Sequence, residues 1–122
     1  MKSAILIVPV FLMAAGVAQA ETTIGRWCSK TIPNMPKYNQ TMEIVALDNG
    51  KVELRSKFGD GSSGTHELQE AAGRIYKRVG SGSGDKYRVV PNTGNLQLID
   101  NDGLIRTATR LENSPQKGEC SR

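Results

Sequence analysis

Five side chains in one stretch could hold an anion: Arg74, Tyr76, Arg78, Lys86 and Arg88. Read as a hairpin, alternation sets Arg74, Tyr76 and Arg78 on one face, and Lys86 and Arg88 on the returning strand can lie beside them. Such a patch suits lipid phosphate, an acidic glycan or an acidic protein. The plainer reading is a solvated hairpin face, where Arg and Lys are common. His66 is the only histidine: a Ser or Cys nucleophile would need it as base and a zinc site would need further ligands, yet both cysteines are expected to pair and no second histidine exists. By alternation it shares a face with Leu68, as a hydrogen-bonded or rim histidine. Asp48, Asp60, Asp85, Asp100 and Asp102 all fall at turns, whose chemistry accounts for them, and no two are singled out as a general acid and base. Counting from Asp100, the twelfth position is Leu111, where a calcium loop requires Glu. No catalytic residue, metal ligand or cofactor is therefore assigned, and a binding role is favoured over an enzymatic one.

The chain's start and its cysteines place this chemistry outside the cytoplasm. Lys2, the apolar run Ala4 to Gly16 and the small residues of Ala18-Gln19-Ala20 read as a cleavable secretory signal, with the mature chain starting at Glu21. The apolar run is shorter than the roughly 20 residues that cross a bilayer core, and no later segment exceeds it. The expected product is thus periplasmic or secreted and not an integral membrane protein. Residues 21–122 suffice for one domain. Its two cysteines, Cys28 and Cys120, would meet an oxidising compartment, so a disulfide between them is expected; no CxxC spacing supports a redox role. Formal net charge is +4, or +3 once Lys2 is removed, with acids and bases interspersed. That mild balance, with few aromatic residues, marks no nucleic-acid surface.

The positioning elements read as strands. From Met42 onward, runs of five to eight residues alternate with Gly, Asn and Asp clusters. Lys51 to Phe58 puts Val52, Leu54 and Phe58 on one face and Lys51, Glu53, Arg55 and Lys57 on the other, behind an Asn49-Gly50 pair suited to a type I′ turn. Thr65 to Glu70, Arg74 to Val79, Lys86 to Val90, Asn95 to Ile99 and Leu104 to Leu111 follow. With a first strand around Thr23 to Cys28, the count reaches eight. The fold class is all-β: a small antiparallel up-and-down barrel or a flattened sandwich.

Gly25-Arg26-Trp27 in the first strand resembles the Gly-x-Trp of the calycins, the lipocalin- and avidin-like barrels. That resemblance implies that Trp27 packs at the closed end of a barrel beneath a cation from the last strand, Arg110 first and Arg106 second. Gly73-Arg74-Ile75-Tyr76 is fainter in its likeness to the Ser-Gly-x-x-Tyr motif of periplasmic inhibitors of chicken-type lysozyme, with Ala72 in place of the Ser. This second resemblance implies an alternative role, inhibition of a cell-wall hydrolase by a loop near Gly73 to Tyr76. A basic chain is poorly matched to a strongly basic lysozyme. The leading expectation is a non-enzymatic module for a small ligand in the barrel mouth or for an anionic envelope partner.

Overall fold

The computed structural model describes residues 20–30, 32, 34–80, 82, 84–113 and 120. Apart from Ala20, the expected signal segment lies outside them. Eight strands follow in chain order: β1 Glu21–Lys30, β2 Asn39–Leu47, β3 Val52–Phe58, β4 Ser63–Ala71, β5 Ile75–Arg78, β6 Lys86–Val89, β7 Leu96–Asp100 and β8 Gly103–Arg110. Each pairs with the next, and β8 returns to β1 through Trp27 opposite Arg110 and Cys28 opposite Thr109, closing the barrel. Of the two architectures the strand rhythm allows, the chain adopts the one that leaves no open sheet edge.

Period-two alternation decides what fills the interior. Trp27, Met42, Ile44, Leu54, Leu68, Tyr76, Tyr87, Val89, Leu96 and Ala108 join one buried cluster, while Glu53, Arg55 and Lys57 stay outside it. Outside, Arg55 reaches the Glu21 carboxylate at 2.7 Å and Glu53 at 3.1 Å. Arg55 holds the Glu21 carboxyl below its ordinary range, chiefly through its hydrogen bond.

Two local features depart from expectation. The β2–β3 turn is not type I′: Gly50 N–H donates to the Leu47 carbonyl and Leu47 N–H to that of Lys51, with positive φ at Gly50 (86°) but not at Asn49. This is a three-residue connection ending in a left-handed glycine, which matches strand twist as well as the two-residue turn does. The second is Asn39–Leu47, which starts three residues before the Met42 that opens the apolar run, because Asn39 and Gln40 pair with Lys30 and Ser29.

Cys28 and Cys120 are bonded, with Cα atoms 5.2 Å apart. Cys120 N–H also donates to Thr41 Oγ1 at 3.0 Å, and Thr41 is the register partner of Cys28. The tail is thus fastened at the β1–β2 ladder, and the bond is consistent with an extracytoplasmic protein. Among the described residues no helix is long and apolar enough to cross a membrane.

Candidate functional site

One end of the barrel is sealed. The indole of fully buried Trp27 donates its N–H to the Gly94 carbonyl at 2.6 Å, pinning the β6–β7 connection over the interior. Gly25 permits this, since a β-carbon there would stand 2.5 Å from the indole ring. Gly94 has φ of 75°, and a β-carbon on it would lie 2.9 Å from Arg110 Cδ. The stem of Arg110 therefore rests on the glycine that accepts from Trp27, while Arg110 Nε bonds to Glu112. The expected partnership of Trp27 and Arg110 appears as register neighbours joined through Gly94, not as a guanidinium over the indole; the cation-over-ring contact among the described residues is Lys37 on Tyr38, at 5.1 Å.

At the opposite end lies a cavity of about 290 Å³. Its apolar lining comes from Met42, Leu54, Tyr87 and Leu98, and its polar lining from Gln40, Ser56, His66, Arg78, Asp85 and Arg106. Four polar residues form a chain across four strands. Arg106 Nε donates to Ser29 Oγ at 2.6 Å, Arg106 Nη2 to Gln40 Oε1 at 3.4 Å, and Gln40 Nε2 to Ser56 Oγ at 2.8 Å. Ser29 is fully buried, and no buried side-chain polar atom among the described residues lacks a partner.

Two cations of the mouth differ in their partners. Arg78 Nη1 meets Asp85 Oδ2 at 3.1 Å, so its charge is balanced. Among the described residues, Arg106 bonds only to neutral oxygens, those of Ser29 and Gln40. A half-buried guanidinium above an apolar floor, without a carboxylate, is an attractive anchor for an anion. His66 has its pKa lowered, first by burial and then by the Arg78 charge, with Asp85 opposing. Burial likewise pushes the Tyr87 hydroxyl up. Among the described residues, no group of three or more His, Cys, Asp or Glu could hold a metal ion.

The sheet register does not gather the five hairpin residues on one face. Tyr76 faces Tyr87, Ile75 faces Arg88 and Lys77 faces Lys86. Arg88 and Lys86 therefore belong to the face opposite Tyr76 and Arg78, and Arg88 bonds to Gln97 on β7 at 3.2 Å. Arg74, with φ of 61°, sits in the β4–β5 turn at the sealed end, four residues and about 13 Å along the chain from Arg78 at the mouth. Tyr76 is only 4% exposed, so the Gly-x-x-Tyr segment presents Gly73 and Arg74 but withdraws its tyrosine. The hairpin's contribution to the mouth is Arg78, with Lys86 at the edge of its lining.

Gln40, Ser56 and Ser29 stand in no motif of the sequence, and Arg106, the second candidate after Arg110 for the cation beside the tryptophan, lines the mouth instead. The available signal was polarity on an inward phase. Ser56 interrupts Val52, Leu54 and Phe58; His66 shares phase with Leu68; Arg106 shares it with Ala108. Against known proteins, the chain matches no family model, no curated protein and no solved structure.

Proposed function

We propose that this chain is an exported, non-enzymatic binding module whose barrel mouth receives a small amphiphilic anion, anchored at Arg106. The observation that carries the reading is the half-buried Arg106 guanidinium, bonded among the described residues only to neutral oxygens, beside an apolar-floored cavity. An acid headgroup would use the remaining guanidinium N–H groups, and a short apolar body would lie on Met42, Leu54 and Leu98. The cavity is at the lower edge of the ~300–1,000 Å³ range of small-ligand pockets, which suits a compact ligand. The secretory signal read at residues 1–20 and the Cys28–Cys120 bond support work in the periplasm or outside the cell.

The test uses octanoate and octan-1-ol as probes in an amide NMR titration of residues 21–122. Octanoate is expected to shift amides around Gln40, Ser56 and Arg106, octan-1-ol to bind more weakly, and Arg106→Gln to cost octanoate about ten-fold in affinity, the range of one charge-assisted hydrogen bond. An octanoate affinity unchanged in the Arg106→Gln protein would remove the anchor, and no shift at the mouth would remove the reading.

A further inference from the structure

Among the described residues, the six large hydrophobic side chains left exposed are Ile32, Met35, Tyr38, Val79, Leu104 and Ile105. All six lie at the mouth end. Ile32, Met35 and Tyr38 belong to the β1–β2 connection, Val79 to the β5–β6 connection, and Leu104 and Ile105 to the start of β8. The last two owe their placement to a bulge: Ile99 pairs with Leu104 and Leu98 with Arg106, leaving Ile105 as the extra residue. A strand that alternates would have turned one of the pair inward; here both stay exposed, at 58% and 51%. Apolar exposure confined to one end of a small barrel marks a surface meant for a partner.

Cations are interleaved with these side chains. Lys30 ends β1, Lys37 lies over the Tyr38 ring, and Lys86 opens β6. Arg78 and Arg106 stand in the mouth they surround. Of the carboxylates at this end, Asp85 pairs with Arg78, while Asp60 accepts from Ser62 and Asp100 from the Asp102 N–H in their own turns, fewer charges than the cations Lys30, Lys37, Arg78, Lys86 and Arg106. We infer that the mouth face docks on an anionic lipid surface, with the apolar rim entering the headgroup layer and Lys30, Lys37 and Lys86 meeting lipid phosphates. Apolar side chains on three separate connections form a discontinuous ring, which suits a flat, chemically uniform layer. A tyrosine with a lysine beside it is the kind of pair that sits at such an interface. A second copy docking mouth to mouth would set these cations against one another. The inference rests on the rim and not on what occupies the cavity.

The test is cosedimentation of residues 21–122, which carry all eight strands and both cysteines, with vesicles of mixed phosphatidylglycerol and phosphatidylcholine or of phosphatidylcholine alone. Binding to the mixed vesicles is expected, weakened by salt. Val79→Asp with Leu104→Asp changes two rim residues outside the cavity lining and is expected to lower partitioning about ten-fold or more, from the cost of charge at the interface. Far-UV circular dichroism of this variant should match that of the unaltered chain. Should it fold poorly, Lys30→Glu with Lys37→Glu, at two exposed positions, asks the same question. Vesicle binding by the unaltered chain that neither variant reduces would overturn the proposal. So would its absence with both vesicle types, including the case where rim cross-linking captures an envelope protein instead. Failure to bind octanoate with vesicle binding intact would remove the cavity reading alone.

Discussion

Arg106 on β8 donates through Nε to the hydroxyl of Ser29 on β1, 2.6 Å away across the seam where the barrel closes. The hydroxyl is fully buried, so this contact both orients the guanidinium and joins the first strand to the last. Ser29→Ala leaves a half-buried cation short of an acceptor and is expected to destabilise the fold by about 1–3 kcal/mol. Urea unfolding would measure it, and octanoate affinity should fall in parallel because the anchor is no longer held.

The sealed end should behave independently. Trp27→Phe removes the donor to Gly94 and leaves a gap where the indole packed, at a cost of about 1–3 kcal/mol. Gly94→Ala meets both the positive φ and the Arg110 stem, so it should cost a similar amount, about 1–3 kcal/mol. Octanoate affinity measured under folding conditions should be unchanged in both, since neither residue lines the mouth.

The Cys28–Cys120 bond spans a sequence separation of 92. In the chain-entropy account, a loop of that length stabilises by about 4–5 kcal/mol. Replacing both cysteines by Ser should lower the unfolding midpoint by that equivalent without altering the barrel's far-UV circular dichroism. A reductant should move the unaltered protein to the same midpoint and leave the double variant unmoved.

His66 gives the mouth a pH response. Its pKa is lowered in the fold by burial and by Arg78, against the weaker pull of Asp85. The unfolded chain therefore binds the proton first as pH falls, so the neutral histidine's contribution is complete above its unfolded value of about 6.5 and is lost as pH drops through and below it. Unfolding free energy should decline through that window, and His66→Gln should flatten the decline. Protonation also adds positive charge beside Arg78, so octanoate that remains ionised should bind more tightly at the acidic end, an effect absent in His66→Gln.

Much of the architecture was legible because it is local. The Lys51 to Phe58 alternation specifies a strand with one wet face, and Asp48 to Gly50, Asp100 to Gly103 and the Gly80 to Gly84 segment mark where the chain must reverse. The inward polar residues Ser56 and His66 were visible as breaks in an apolar phase. Their meaning was not, since a polar residue on an inward phase is a rim residue only if its strand ends at an open mouth.

By itself the sequence determined the number of strands, their up-and-down rhythm and the cysteine pair available for a bond, all set by side-chain period and turn chemistry. Only the tertiary structure decided that β8 meets β1 and that Trp27 seals one end through Gly94. It also decided that Arg106 faces the other end, and that Lys86 and Arg88 turn away from Tyr76. The reason is register: pairing between strands is a non-local choice, and a shift of one residue carries every side chain to the opposite face.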